Sequence, residues 1–314
     1  MVEPSGGLVV VHAHPDDETL ATGALVATWA AAGEAVTVVT CTRGARRGHR
    51  HRCAPHRRRA PRRGRPCAGR VSRGELGAAL RALGVKDHVF LDTVALPDDG
   101  PSVRYEDSGM AWVAPGIAAQ AVEGLPPRAF VGVDLDEAAG RLAVVLAERR
   151  PAVVATDDPQ GGYGHPDHVR THEVTVRALE LLARDGASVP ALWCVVQPEA
   201  DVRAARRALA AAPGLPDLAV PDPDEAVLPP VVTWWRGDAD ALVAVPLRPV
   251  LDRVAAALLA HATQVQAVTV ADPAAGEALV GWYALSNDVL APLLTAEHYA
   301  PFRAGTATPG TVAP

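Results

Sequence analysis

Lysine is nearly missing from this chain: Lys86 stands alone beside twenty-nine arginines. With alanine, valine, glycine and proline abundant, that bias points to a GC-rich coding sequence. Aromatic residues make up only 4% of the chain, so the core must be built mainly from the aliphatic part of its 49% hydrophobic content. Cysteine is scarce too. Cys41, Cys53, Cys67 and Cys194 show no CxxC spacing and are too few for a disulfide framework at this length, so they read as free thiols. The N-terminal stretch "MVEPSGGLVVVHAH" lacks a basic leader and its apolar run stops after a few residues. That argues against a signal peptide or a membrane span, and a cytoplasmic location with no membrane partner is expected. A chain of 314 residues can hold one large domain or a main domain with a smaller one.

Positive charge is also lacking over most of the chain. The formal net charge of −6 conceals a single basic stretch, residues 43–70, with twelve arginines, three histidines and no acidic residue in twenty-eight positions. The remainder carries eighteen basic against thirty-six acidic groups. A run this basic could contact phosphates, but nucleic-acid modules spread positive charge over a folded face, and an acidic body repels a polyanion. No nucleic-acid partner is expected despite residues 43–70.

What is present alternates in a regular way. "LVVVHA" (8–13) is a short apolar run, "ETLATGALVATWAAAG" fits a helix ending at Gly33, and "AVTVVTCT" (35–42) is β-branched. Strand, helix, strand at this spacing is a βαβ unit and implies a parallel sheet. After the arginine stretch, "SRGELGAALRALG" starts with Ser72 and Glu75 in capping-box spacing and leads into a strand at 88–92. A helix around Leu135–Leu146, a strand at 152–158, a helix from near Pro166 and a strand at 191–197 complete the set. The fold class expected is α/β: a Rossmann-like, mostly parallel sheet with helices on both faces, plus a smaller C-terminal α+β domain. The division is placed at 1–197 and 198–314, because six prolines between 213 and 230 mark an extended connection. Beyond it, 241–247 reads as a strand and "PVLDRVAAALLAHATQV" as a helix.

In an open α/β sheet, ligands bind at the carboxyl ends of strands, and the loop after the first strand reads "HAHPDDE". His14 and Asp17, three apart where strand turns into helix, can converge on one cation while Asp16 points elsewhere; imidazole plus carboxylate suits zinc. A plain helix start, with acidic residues at the positive end of the dipole, would look the same. The second cluster changes the weighing. "GGYGHPDHVRTH" follows the strand at 152–158 and brings His165 and His168 to the same edge. A catalytic zinc needs three protein ligands and an open position, and His14, Asp17 and His168 supply that number. His12, two before His14, reads as a hydrogen-bonded core residue, and His261 as lining a pocket or capping a contact.

"AHPDDE" together with "GGYGHPDH" resembles the LmbE-like zinc deacetylases, relatives of N-acetylglucosaminyl-phosphatidylinositol deacetylase. Within them, "DSGM" (107–110), "GELGAALRALG" (74–84), "AHATQV" (260–265), "LSND" (285–288) and "EHY" (297–299) resemble the branch that deacetylates N-acetylglucosaminyl-inositol in mycothiol biosynthesis. The resemblance spans nearly the whole chain outside 43–71. It implies one divalent metal, zinc with iron as the other candidate, held by His14, Asp17 and His168. It also implies Asp16 as general base, with Tyr163 and His165 acting on the tetrahedral intermediate. Asp167 could then orient His165, and Asp107 and Arg73 would contact a small-molecule glycoside, Arg73 only approximately matching the family's arginine, whose place is nearer Ser72. The C-terminal part is expected to complete the substrate pocket. Two alternatives stay open: the mycothiol S-conjugate amidase, which as a family carries a lysine after HPDDE where this chain has "TLATGA", and a metal-binding but inactive member.

The same resemblance gives the basic stretch a meaning. The resembling enzymes are acidic and Gly-rich after the second strand, whereas this chain reads "RGARRG". Out-of-frame GC-rich DNA yields Arg, Pro, Gly, Ala, His and Cys, and both flanks return to the family pattern. Residues 43–71 are therefore read as an aberrant loop left by a compensated frameshift, rather than an evolved basic arm.

Overall fold

The computed structural model describes residues 3–43, 73–96, 104–110, 125–224, 233–235, 238–271 and 278–302. The basic stretch beyond Arg43, Cys53, Cys67 and Ser72 lie outside them. Cys41 and Cys194 are buried free thiols.

The apolar runs become strands covered on both faces, as a parallel sheet flanked by helices requires. β1 (Leu8–His12), β2 (Val36–Thr40) and β4 (Val153–Thr156) are buried at every position. With β3 (Asp87–Phe90) and β5 (Ala191–Pro198) they form a parallel series in the order β3-β2-β1-β4-β5. Successive β1 side chains enter opposite cores, as the two-residue strand period dictates. Val10 packs with Leu25, Trp29, Leu80, Val254 and Leu258, whereas Val9 and Val11 pack with Leu142, Leu146 and Val174. The first core lies under α2 (Gly23–Ala31), α3 (Arg73–Leu83) and α7 (Leu251–Ala260), and the second under α4 (Leu135–Arg149) and α5 (Pro166–Arg184). Each fully buried Leu or Val contributes ~1.5–3 kcal/mol, so an aliphatic core with few aromatics is sufficient.

The chain leaves β1 toward β2 on one side and later returns to β4 on the other, so the strand order reverses at β1. Such a switch point opens a crevice at the carboxyl ends of the two strands. The loops after β1 and β4 meet there.

The expected helix through Gly33 is broken. A single turn, α1 (Asp17–Leu20), precedes α2, and Thr22 between them bonds His12 instead of continuing the helix. The first N–H groups of α2 are met from far away: Ala24 and Leu25 donate to the carboxylate of Glu297 at 2.7 and 2.9 Å. The expected helix from 249 ends at Ala260, because the chain must turn at His261 to enter β8 (Val265–Val270). Glu75 accepts from the N–H and hydroxyl of Thr263, both at 3.0 Å, and so ties α3 to that turn; its expected capping-box partner, Ser72, lies outside the described residues.

Beyond 198 the chain does two things. β8, β9 (Gly281–Leu285) and β10 (Leu290–Leu293) make a separate antiparallel sheet packed on α6 (Glu199–Ala210) through Val202, Leu209, Trp282 and Leu290. β7 (Val243–Pro246) and β11 (Ala296–Phe302) instead extend the main sheet antiparallel from β5, and β6 (Thr233–Trp235) pairs with the end of β5.

Candidate metal centre

The first loop folds tightly on itself. The N–H of His14 donates to Asp17 Oδ2 at 2.8 Å. Asp16 adopts φ +108°, a conformation that costs a non-glycine residue about 1–3 kcal/mol unless its surroundings impose it. Here they do: its N–H donates to Glu18 Oε2 at 2.9 Å, and its carbonyl accepts from the N–H groups of Thr19 and Leu20 at 3.0 Å each. Glu18 in turn is held by the Thr19 hydroxyl at 2.6 Å and by His261 Nε2 at 2.8 Å.

The second loop starts at the end of β4. Asp158 turns the chain by accepting from the N–H groups of Gln160 and Gly162. Gly161 sits at φ +66°, and a Cβ there would lie 2.6 Å from the N of Val169, so only glycine lets this loop rest against the first turn of α5. His165 caps α5: its Nδ1 accepts from the N–H of Asp167 at 3.1 Å, with Pro166 at the first helical position. An accepting Nδ1 is unprotonated, so the neutral ring carries its proton on Nε2.

The two loops converge. Asp17 Oδ2 lies 3.4 Å from His14 Nδ1 and 3.4 Å from His168 Nε2. Metal–ligand bonds of about 2.0–2.1 Å at tetrahedral angles place neighbouring ligand atoms about 3.4 Å apart, so Asp17 Oδ2 stands from each of the two imidazoles at the spacing that sharing one small divalent ion requires. Both ring nitrogens of His168 are buried without a hydrogen-bond partner. Nitrogens in that state are costly unless something binds them. Each histidine has a carboxylate at its other nitrogen, the arrangement that orients metal-binding imidazoles: Asp167 Oδ2 at 3.2 Å from His14 Nε2 and Asp157 Oδ1 at 3.6 Å from His168 Nδ1. Among the described residues, His14, His165 and His168 have ligand atoms all within 4.8 Å of one another, and a second such grouping is His14, Asp107, His165 and Asp167. That grouping fits less well, because both Asp167 oxygens are taken up by the N–H and hydroxyl of Ser108.

Electrostatics follow from burial among unlike charges. Burial opposes charge on His14, but Asp107, Asp167 and Asp17 outweigh it and hold its pKa well above the usual value. Burial likewise opposes charge on Asp17, yet His168 and His14 hold it well below. His165 goes the other way: burial and the neighbouring His14 and His168 keep it neutral. Asp16 is pushed up to about 8 by burial and by Asp17, and Tyr163 is kept firmly protonated, chiefly by burial.

Of the residues singled out from sequence, His14, Asp17, His165, Asp167, His168 and Asp107 lie at one place, with the Tyr163 ring 5.9 and 5.5 Å from the rings of His165 and His168. Asp16 lies in the same first loop. Arg73 opens α3, and its side chain is outside the described residues. His12 bonds Thr22 in the core at 2.8 Å. One role is corrected: the carboxylate of Asp167 does not orient His165, because it is committed to Ser108 and His14, and only the Asp167 backbone N–H holds that ring. Sequence reasoning overlooked Ser108, Asp157 and Glu18. Two of these sit inside motifs already quoted, "DSGM" and "HPDDE", and the third in the acidic pair that directly follows β4.

Comparison with known proteins adds independent findings. The profile of the PIG-L family, described as GlcNAc-PI de-N-acetylase, matches residues 9–179. A 1D-myo-inositol 2-acetamido-2-deoxy-alpha-D-glucopyranoside deacetylase of Kineococcus radiotolerans is 41% identical, over 93% of this chain and 76% of the relative. A protein of the same name from Rhodococcus erythropolis is 39% identical, over 96% of this chain and 92% of the relative. Among solved structures, a conserved protein of Thermus thermophilus is 20% identical over 82% of this chain and 79% of its own, with a TM-score of 0.39.

Proposed function

The chain belongs to the PIG-L family of GlcNAc-PI de-N-acetylases, and from that premise we propose that it hydrolyses the acetamide of N-acetylglucosaminyl-inositol to free amine and acetate, the deacetylation step of mycothiol biosynthesis. The relatives' names supply the substrate class. The observation that carries the chemistry is the placement of Asp17 Oδ2 at 3.4 Å from both His14 Nδ1 and the otherwise unpartnered His168 Nε2.

Those three atoms would hold one divalent metal, zinc or iron, which when bound supplies Lewis acidity and lowers the pKa of water. An amide is a poor electrophile, so the remaining groups must manage protons and charge. Asp16 takes the proton of the attacking water as general base. The Tyr163 hydroxyl, kept protonated by burial, donates a hydrogen bond to the oxyanion that develops on the carbonyl oxygen. His165 presents the Nε2–H edge left by its Nδ1 bond and donates a hydrogen bond that stabilises the tetrahedral intermediate, while the proton taken up by Asp16 passes to the leaving amine nitrogen as the C–N bond breaks. Asp167 holds His14 by its Nε2, and Ser108 holds Asp167. Asp107, 3.8 Å from His14 Nε2, accepts from sugar or inositol hydroxyls, and Arg73 at the start of α3 contacts the same substrate. Residues 1–197 carry the chemistry and 198–314 complete the pocket; His261 already reaches Glu18 from the C-terminal part. Among the described residues no helix is long and apolar enough to cross a membrane, and we place the enzyme in the cytoplasm.

The deciding experiment measures amine release from N-acetylglucosaminyl-inositol by the chelated protein, then after addition of zinc or ferrous iron, with a mycothiol S-conjugate in parallel. Metal-restored turnover of the first substrate supports the proposal. Turnover of the conjugate alone would assign the amidase reaction, and metal uptake without turnover of either would mean a binding-only protein. Asp16→Asn should keep its metal and lose about 10²–10⁴ in kcat, because an amide cannot accept the water proton.

A further inference from the structure

Two fully buried ionisable side chains lie beneath the first loop, outside the groups that would handle substrate. Glu18 and His261 are both 0% exposed and meet at 2.8 Å, across 243 residues of sequence. Replacing such a pair with apolar groups of similar volume is often neutral or stabilising, so stability is a weak reason for its presence. The geometry supplies another. Glu18 has two oxygens with different duties: Oε1 accepts from His261 and from the Thr19 hydroxyl, while Oε2 accepts the N–H of Asp16. That N–H belongs to the residue at φ +108°, the conformation an aspartate adopts only when its surroundings enforce it. His261 is itself fixed. It ends α7, its N–H bonds the carbonyl of Leu258, and its carbonyl accepts from the N–H groups of Gln264 and Val265.

We infer that His261 is a positioning residue for the hydrolysis: by holding the Glu18 carboxylate in one orientation, it keeps the backbone of Asp16 in its strained turn and so aims the Asp16 carboxylate at the reacting water. The inference rests on Asp16 serving as the base. It also gives the last turn of α7 a duty at the site without contact to substrate. Without His261, Oε1 loses its imidazole partner, Glu18 can rotate, and Asp16 can relax toward an ordinary helical start. The proposed metal-binding atoms have anchors of their own beside this chain of bonds: the Asp17 carboxylate accepts the N–H of His14, and His168 is carried by α5.

The test compares His261→Leu, His261→Gln and His261→Asn, each alone and combined with Asp16→Asn, measuring kcat, KM for N-acetylglucosaminyl-inositol, bound zinc and thermal midpoint. Misplacing a reacting group by about 1 Å costs on the order of a hundredfold. His261→Leu should therefore lose about ten- to a hundredfold in kcat, with KM changed by no more than about twofold and zinc content unchanged. Gln, whose amide nitrogen reaches where Nε2 lies, should recover most of that loss; Asn, which is too short, should not. If the Leu variant does not fold, the Gln and Asn pair carries the comparison. In the Asp16→Asn background none of the three should lower kcat further, since the group being aimed is already disabled. An equal fold-loss in both backgrounds, a Gln variant no better than Asn, or zinc loss in step with kcat would overturn the inference. Full turnover by Asp16→Asn alone would instead refute the base assignment, and the positioning role would fall with it.

Discussion

Glu297→Ala should destabilise the protein strongly, and more at acid than at alkaline pH. The Glu297 carboxylate on β11 accepts three hydrogen bonds: from the N–H of Ala24 at 2.7 Å, the N–H of Leu25 at 2.9 Å and the hydroxyl of Tyr299 at 2.6 Å. Ala24, Leu25 and Tyr299 are each 0% exposed, so water cannot easily replace the lost acceptor. A buried donor left unsatisfied costs ~1–3 kcal/mol, which puts the three together at roughly 3–9 kcal/mol. Against this stands the penalty for burying the carboxylate, which raises its pKa from 4.5 to about 7. A shift of that size separates the two protonation states by about 3 kcal/mol. The net loss should be about 3–5 kcal/mol near pH 5.5, at the upper end of single-residue effects. The sign of the pH dependence follows from the raised pKa. The folded chain holds the proton between 4.5 and about 7, so the contribution of Glu297 is complete below 4.5 and falls as pH rises through 7. The difference between wild type and Glu297→Ala should therefore shrink by about 2 kcal/mol from pH ~5.5 to pH ~8. Urea denaturation of both proteins at the two pH values measures it directly. A difference below about 1 kcal/mol at the lower pH, or one that grows with pH, would show that Glu297 is not the buried anchor of α2.

Three further outcomes follow. His168→Ala should abolish stoichiometric zinc binding while leaving the fold intact; full zinc content by metal analysis would remove His168 from the ligand set. Gly161→Ala should destabilise by about 1–3 kcal/mol and depress kcat, because the new Cβ must displace the first turn of α5 from 2.6 Å; an unchanged melting midpoint and kcat would refute the close approach. Restoring the shifted reading frame across 43–71 should raise deacetylase turnover and abolish any salt-sensitive nucleic-acid binding, whereas equal or lower turnover with sequence-preferring binding by the present chain would mean an evolved basic arm.

Much of this protein could be read from local sequence. The parallel half of the sheet was legible because a strand covered on both faces must be an unbroken apolar run, as in "LVVVH" and "VTVVT". The meeting of the two histidine- and aspartate-bearing loops was legible because "HPDD" and "HPDH" each follow such a strand, and loops at the carboxyl ends of neighbouring parallel strands share one edge of the sheet. Periodicity reports that a side chain is buried, but not what it is buried against. That is why the break at Thr22 was hidden, since Glu297 supplies the missing acceptor for α2 from 272 and 273 residues away. The same holds for β7 and β11, whose place beside β5 depends on strand order rather than on their own composition. Asp167 shows the limit most clearly. Its position next to His165 in sequence invited a partnership, but helix geometry turns its carboxylate to Ser108 and His14 and leaves only its N–H for His165. Residue type and spacing thus determined the chemistry available to this chain. Which carboxylate holds which imidazole, and which backbone is held in strain, was decided by the tertiary contacts, because hydrogen bonds select partners by position in space and not by distance along the chain.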